Sequence, residues 1–329
     1  VDNDGLGDRV VNANDGAILA GFTADVGFDV VDTADNIAAE VAGANSGDEL
    51  NSVDADGVIN TVVVSGGDVN TTEAGVIQSI SGYDASSSDY DIKDNSVAVI
   101  SAKDDVLANG RIEVEVTNAV GTSDGAILNA FTADIDFDVS DNAVNLAAQV
   151  NGTNGVAGSL DDAATVTVES GAAIGVVDAD AIQAISGYDF TGSDYDITDT
   201  AAALISAGDD VLNVSGVTNI QVDAAGTGSV VNAADGAALS AFTADIEFDV
   251  VDNAAGLIAE MGGADVAGHL TEANSIIVDD TQTGSVVNAS DGAMLASFTA
   301  DIDFDVSDTA VNIAAQVASG VAQGYGSNS

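Results

Sequence analysis

Apolar and acidic residues alternate along several short stretches of the chain. Between Ala133 and Ser140, the apolar residues Ile135, Phe137 and Val139 are separated by single Asp residues. A period of two places apolar side chains on one face and carboxylates on the other. The pattern therefore predicts a half-buried β-strand.

The period changes directly after this strand. Ala143, Leu146 and Val150 recur at the spacing of one helical face, which predicts a short amphipathic helix. Asp141 precedes the helix, and we predict that it is the N-cap, which accepts free N–H groups of the first turn. The Asn-Gly pair at 151–152 predicts the end of the helix.

This strand–helix pattern recurs along the chain. Four near copies begin at Gly21, Ala130, Ala241 and Ser297, and two diverged relatives lie between them. The aspartates before the helices mark the repeat: Asp32, Asp94, Asp141, Asp199, Asp252 and Asp308. Their average spacing of about 55 residues is typical of a repeat architecture.

Each unit contains further short elements. A second strand is predicted at Thr165–Val168, and another short strand follows Gly228 in the sequence GSVV. The Asp-Gly-Ala sequence at Asp235 is predicted to cap one helical turn that ends at Phe242. Units two and four share the sequence SGYD, which indicates an older duplication of two units.

We predict an α/β repeat solenoid of short parallel strands and short helices, with about six units of two coils each. The absence of Pro agrees, because Pro removes a hydrogen-bond donor from a central strand. One continuous domain is expected over residues 1–317, with a flexible Gly- and Ser-rich tail over 318–329. Neither end shows a polar cap, so we expect either a fragment of a longer protein or ends that stack on neighbouring copies.

The composition excludes several classes of function. The chain has 55 acidic and only 4 basic residues, for a formal net charge of −51, so it cannot neutralise nucleic-acid phosphates. Membrane insertion is not expected, since no apolar run is long enough. There is no Cys and a single His, His269, which we expect at the surface. Because no catalytic motif is present, we predict that the protein is not an enzyme.

The recurring carboxylates are candidate calcium ligands, because calcium binds six to eight hard oxygens. The alternative is a solvated acidic face that diffuse monovalent counterions neutralise, with the helix-capping aspartates serving structure only. The candidate metal ligands follow the pattern D-x-D-x-D-x-x-D and its relatives: Asp134, Asp136, Asp138, Asp141, Asp194, Asp196, Asp301, Asp303, Asp305 and Asp308.

A resemblance is visible in segments such as VSDTAVNIAAQV and VVDTADNIAAEV. They resemble the V-x-D-T-A-x-N-I-A-A repeats of very large secreted bacterial proteins, including RTX-type surface proteins and adhesins. About a dozen residues per unit carry the resemblance. It implies an extracellular or cell-surface repeat protein that is associated with calcium.

Two functions follow as expectations. The first is an extracellular structural protein, a subunit or segment of a surface filament, surface layer or matrix fibre, whose partners are other copies stacked head to tail. The second is an adhesin repeat module that binds carbohydrate or a cell surface. Four tyrosines could form an aromatic row for sugars, with core packing as the alternative: Tyr83, Tyr90, Tyr188 and Tyr195.

Overall fold

The computed structural model describes most of the chain. The described residues are 10–20, 27–42, 50, 58–108, 111–152, 160–223, 229–261, 270, 272–279, 286–296 and 302–318. The chain divides into two compact units. One comprises residues 1–141, 148–167 and 185–188, and the other comprises residues 142–147, 168–184 and 189–329. The single continuous domain over 1–317 stays a prediction, and the predicted tail beyond Ala318 lies outside the described residues.

Short strands and short helices alternate throughout the described residues. The strands are β1 (Val10–Val11), β2 (Gly27–Asp32), β3 (Val58–Val69), β4 (Asp89–Asp94), β5 (Arg111–Val116), β6 (Ile135–Asp136), β7 (Asp138–Asn142), β8 (Thr165–Glu169), β9 (Tyr195–Asp199), β10 (Val217–Val222), β11 (Val230–Val231), β12 (Ile246–Glu247), β13 (Asp249–Asp252), β14 (Ser275–Val278), β15 (Val286–Val287), β16 (Ile302–Asp303) and β17 (Asp305–Val306).

The helices lie between these strands. They are α1 (Ala13–Ala20), α2 (Ala34–Val41), α3 (Thr71–Gln78), α4 (Ser96–Ala102), α5 (Asp104–Leu107), α6 (Thr122–Leu128), α7 (Ala143–Val150), α8 (Val176–Gln183), α9 (Ala201–Ala207), α10 (Asp209–Leu212), α11 (Ala233–Leu239), α12 (Ala254–Met261), α13 (Ala289–Leu295) and α14 (Ala310–Ala318). Among the described helices, none has the length and apolarity needed to cross a lipid bilayer.

The sheets are parallel and follow the order of the chain. Strands β1 to β6 form one six-stranded sheet in which each strand pairs with the next. The order is β12-β10-β9 in a three-stranded sheet and β11-β13-β14-β16 in a four-stranded sheet, while β15 pairs with β17 and β7 with β8. The predicted alternation of short parallel strands and helices is confirmed. We call each strand together with the helix that follows it a module. Where two short strands precede one helix, both belong to its module.

The core is built from the alternating apolar residues of the strands and from small residues of the helices. In the first unit, Phe28 and Val30 are fully buried on one face of β2. A Cβ atom at Gly16 of α1 would lie only 2.9 Å from Cγ2 of Val30, so the helix backbone approaches the strand closely. Gly125 and Gly236 make the same approach in later modules. In these three modules, the Gly of the Asp-Gly-Ala sequence therefore serves helix–strand packing.

The predicted role of the Asp in this sequence is wrong. Helix α11 begins before Asp235 and continues for about two turns, with Asn232 as its N-cap. The Asn232 side chain accepts a hydrogen bond from the Asp235 backbone N–H at 2.9 Å and donates one to its carboxylate at 2.8 Å. Asp235 therefore lies inside the first turn, where a carboxylate also interacts favourably with the helix dipole.

The two diverged modules share a buried polar network. The Gln78 side chain donates to the Tyr90 hydroxyl and to the carbonyl of Val106, both at 2.8 Å. Gln183 makes the same contacts with the Tyr195 hydroxyl at 2.7 Å and with the carbonyl of Val211 at 3.1 Å. This equivalence agrees with the duplication that the SGYD sequences indicate. A second contact is also shared: the Ser88 hydroxyl donates to the carbonyl of Asp84 at 2.8 Å, and the Ser193 hydroxyl donates to that of Asp189 at 2.7 Å.

Candidate functional site

The aspartates before the helices connect neighbouring modules. Asp141 lies at the end of β7, yet its Oδ2 atom accepts hydrogen bonds from the backbone N–H of Thr122 at 3.0 Å and from the Thr122 hydroxyl at 2.9 Å. Thr122 is the first residue of α6, which belongs to the preceding module. The carboxylate therefore caps the earlier helix.

The same bond recurs in both units. Each repeat aspartate accepts a hydrogen bond from the first backbone N–H of the preceding helix, at 2.9 to 3.1 Å. The pairs are Asp32 with Ala13, Asp94 with Thr71, Asp141 with Thr122, Asp199 with Val176, Asp252 with Ala233, and Asp308 with Ala289. At α4, the Asn118 side chain takes this place and accepts from the N–H of Ser96 at 2.9 Å.

The predicted N-cap role of these aspartates toward their own helix is therefore wrong by one residue. In α9 the N-cap is Thr200, and Oδ1 of Asp199 accepts its backbone N–H at 2.7 Å. Asp308 relates in the same way to Thr309, at 2.6 Å. Five of these carboxylates thus join the start of their own helix to the start of the preceding one: Asp32, Asp94, Asp199, Asp252 and Asp308. The sequence spacing could not show this, because the second contact is formed between modules.

Hydrogen bonds favour the ionised form of several of these carboxylates. Burial raises the pKa of Asp94, but hydrogen bonds from Thr71 and Asn95 outweigh it, so that the pKa lies below its ordinary value of 3.8. The pKa of Asp32 is also lowered, because its hydrogen bonds outweigh the effect of burial. In Asp308, hydrogen bonds from the Asn312 side chain and from the Ala289 and Thr309 N–H groups lower the pKa.

The aspartates on the outward strand faces form a second set of contacts, with hydroxyl groups of the following strand. Oδ1 of Asp138 accepts a hydrogen bond from the Thr165 hydroxyl at 2.5 Å. Asp29 accepts from Thr61 at 2.7 Å, and Asp249 from Ser275 at 2.6 Å. In these three places, the strand that follows the carboxylate-bearing strand therefore presents a hydroxyl to it.

The remaining candidate metal ligands take different positions. The Thr218 hydroxyl contacts a carboxylate oxygen of both Asp194 and Asp196 at 3.0 Å. Asp134 and Asp136 are exposed near β6. Asp305 is exposed on β17. Asp301 and the side chain of Asp303 lie outside the described residues.

Within the described part of the chain, no group of three acidic or histidine side chains is arranged to hold a metal ion. The available carboxylates instead form pairwise contacts with hydroxyl and backbone N–H groups. Calcium at these residues stays a prediction, and so does its alternative of diffuse counterions. His269 lies outside the described residues.

Three of the four tyrosines proposed for an aromatic row lie in the core. Tyr90 and Tyr195 are 1% exposed and Tyr188 is 7% exposed, while Tyr83 is half-buried. Burial raises the pKa of Tyr90 far above its ordinary value. The core-packing alternative is therefore the one that the structure supports for these three residues.

A lysine stands where acidic residues of adjacent strands face one another. Asp91 of β4 is the direct neighbour of Glu113 of β5 in the sheet. Lys93 Nζ lies 3.1 Å from Asp68 Oδ2 and 3.2 Å from Glu115 Oε2. The hydrogen bonds that Lys93 donates to these two carboxylates raise its pKa. Lys93 therefore supplies positive charge where like charges would destabilise the sheet.

Helix α14 of the last described module is more exposed than its counterparts in earlier modules. Ile313 of α14 is 37% exposed, whereas its counterparts Ile37, Leu146 and Leu257 are each 0% exposed. We define the end face as the side chains that are half-buried or exposed in this module but buried in its internal counterparts, together with the edge residue Asp305: Phe304, Val306, Ala310 and Ile313. The expectation that the array is either a fragment of a longer protein or stacks through its ends stays a prediction.

Comparison with known proteins gives no relative from which a function could be transferred: no protein-family model, no curated protein and no solved structure matches the chain. The function therefore has to be argued from the modules and the end face.

Proposed function

We propose that the protein is an extracellular structural protein. It is a repeat solenoid of about six units, each with two modules, and it forms a segment of a surface filament, surface layer or matrix fibre. Its partners are other copies, which stack head to tail through the ends of the solenoid.

The observation that carries this proposal is the way in which one module covers another. In the internal modules, α2 packs against β3 and α3, and α12 packs against α13. The following module therefore covers the apolar side of the helix in these places. Helix α14 has the same sequence pattern and no buried residue. Uncovered strand edges and apolar faces at the end of an array favour association.

The order of the modules supports a second copy as the partner. The first described module has the sequence VVNANDGAIL over 10–19, and the module of α13 has VVNASDGAML over 286–295. The module of α13 follows that of α12, whose sequence is close to that of the last module. If the first module of one copy stacks on the last module of another, β1 and α1 take the place that β15 and α13 have after α12, without a counterpart of β14, which pairs with β13 there. Contacts of this heterologous kind extend into filaments.

The resemblance to large secreted repeat proteins supports a location outside the cell. Asp29, Asp138 and Asp249 carry structural hydrogen bonds rather than converging on a reaction centre. We therefore assign them no catalytic role. Because the net charge is −51, cations must screen the copies before they can stack.

Negative-stain electron microscopy of the purified protein tests the proposal. We expect filaments or linear oligomers that lengthen with protein and salt concentration. Single particles of constant size across a wide range of NaCl and CaCl2 concentrations would contradict head-to-tail stacking.

A further inference from the structure

Strand β14 follows the aspartate-bearing strand β13 in the way that β8 follows β7. The Ser275 hydroxyl donates to Asp249 at 2.6 Å, as the Thr165 hydroxyl donates to Asp138 at 2.5 Å. In both places, the residue after the hydroxyl and a leucine ahead of the strand are buried: Ile276 and Leu270, Val166 and Leu160. Toward the preceding module, β14 therefore begins as β8 does.

Toward the following module, β14 resembles a different strand, β10. The register pairs Ile276 with Ile302 of β16, as it pairs Ile220 of β10 with Ile246 of β12. The sequence after β14 is close to that after β10: VDDTQTGSVVNASDG from residue 278 and VDAAGTGSVVNAADG from residue 222. Strand β14 therefore ends as β10 does.

A backbone hydrogen bond marks the same equivalence. The first N–H after β14, that of Asp279, donates to the carbonyl of Asp252 at 2.9 Å. The first N–H after β10, that of Asp223, donates to the carbonyl of Asp199 at 2.8 Å. Both acceptors are the aspartates that end the preceding strands, β13 and β9. Strand β13 thus holds, beside β14, the place that β9 holds beside β10.

The helices show the same exchange. Helix α13 packs against α12, whereas α11 packs against α9. Between a start like that of β8 and an end like that of β10, the chain after α7 contains residues 167–220, with α8, β9, α9 and α10. After α12, one strand makes the whole connection. We call residues 167–220 the spacer.

The spacer makes several of its polar contacts within itself. Gln183 donates to the Tyr195 hydroxyl and to the carbonyl of Val211, and all three residues belong to the spacer. The buried N–H of Val168 donates to the Ser193 hydroxyl at 3.0 Å. Removing the spacer removes donor and acceptor together, which costs far less than leaving one of them buried without its partner.

Two contacts lead from the spacer to the next module. The N–H of Thr243 donates to Asp209 at 3.0 Å, and the Asn213 side chain donates to the Thr243 hydroxyl at 2.8 Å. Both contacts are exposed. Their loss returns these groups to water and has a small effect on stability.

We propose that the spacer is an exchangeable insertion, so that the array folds with or without it. The number of such insertions then sets how many modules the array contains. Without the spacer, residues 165–166 and 221–222 form one strand, which pairs with β7 and β12 as β14 pairs with β13 and β16. This inference goes beyond the proposed function, because it does not depend on stacking between copies.

A deletion variant that lacks residues 167–220 tests the inference. Val166 is then joined to Gln221, so Val166 and Val222 face the core with Gln221 between them on the outer face. Ile277, the counterpart of Gln221 in β14, is 47% exposed. We expect a sigmoidal urea transition whose midpoint lies within about 0.5 M of that of the wild type, with a lower m value because less surface is exposed on unfolding.

A deletion of residues 167–219 is the matched control. It retains one more residue, Ile220, and therefore shifts the strand by one position, which turns Ile220 and Val222 outward and Gln221 inward. We expect its midpoint to fall by more than about 1 M urea, or its transition to disappear. Equal midpoints for the two deletions, or an unfolded protein after the deletion of 167–220, would overturn the inference.

The reciprocal variant carries a second copy of residues 167–220 between Ile276 and Ile277. Ile220 of the inserted copy then precedes Ile277, which keeps the alternation of inward and outward residues. We expect circular dichroism to show a folded protein with a larger m value than the wild type. Loss of the urea transition in this variant would contradict an exchangeable insertion. All three variants are compared as single copies in solution, so the result does not depend on whether filaments form.

Discussion

Oδ2 of Asp141 lies 3.0 Å from the backbone nitrogen of Thr122, a residue 19 positions earlier in the chain. The contact joins the end of one strand to the first turn of the helix in the preceding module. Since five other aspartates make the same bond, it is a repeated connection between modules. A side-chain hydrogen bond therefore holds each of these modules to the one before it.

Replacing Asp141 should destabilise the protein. Asp141→Ala leaves the N–H and hydroxyl of Thr122 without this acceptor, and we expect a loss of about 1–2 kcal/mol in the free energy of unfolding. Asp136→Ala is the matched control in the same module, because Asp136 is exposed, and it should change stability by less than about 0.5 kcal/mol. Urea unfolding measures both, and equal losses would contradict the capping role.

The capping bonds should also make stability depend on pH. The pKa of Asp94 in the folded protein lies below its ordinary value of 3.8, so its contribution is present above that pH and is lost as the pH falls through the folded pKa. The variant Asp94→Asn has no carboxyl group at this position, so nothing titrates there. We expect the stability difference between wild type and Asp94→Asn to narrow below about pH 4 in urea titrations. A difference that stays constant from pH 7 to pH 2.5 would contradict the shift.

Local sequence pattern predicted the elements well. Period two located β6 and β7, and apolar spacing located α7 with its bounds Ala143–Val150. Both signals arise within a few residues of the chain. Parallel pairing could also be predicted. The units are near copies, and a helix between successive strands brings the chain back to begin the next strand in the same direction.

Contacts between modules could not be read from the same pattern. Asp199 precedes a helix in the sequence, which suggested a cap for that helix, but its partner Val176 lies 23 residues earlier. Likewise, the Thr218 hydroxyl meets Asp194 and Asp196 only because β9 and β10 are neighbours. The register between neighbouring strands decides which side chains meet in this way. That register depends on packing between strands that are distant in the sequence.

A lysine occupies a backbone conformation that suits glycine. Lys103 has φ 60° and ψ 175° between α4 and α5, and its counterpart Gly208 has φ 68° and ψ −176°. A side chain in this region costs about 1–3 kcal/mol. We therefore expect Lys103→Gly to be more stable than Lys103→Ala by about 1 kcal/mol in urea unfolding, since both variants lose the same charge. Equal stabilities would contradict the strain.

Cations should stabilise the fold by screening its carboxylates. The 51 net negative charges repel one another more strongly at low ionic strength, where the screening length exceeds about 10 Å. Removing divalent ions with a chelator at low salt should lower the unfolding temperature, and 1 M NaCl should restore it. Circular dichroism follows both steps. Restoration by micromolar CaCl2 and not by NaCl would instead indicate specific calcium sites.

Stacking through the end face is the central claim, and sedimentation velocity of two variants tests it most directly. At a concentration and salt at which the wild type sediments as linear oligomers, Val311→Asp should do the same, whereas Ile313→Asp should sediment as single folded copies. Oligomers of equal size from both variants would show that the association does not use this face.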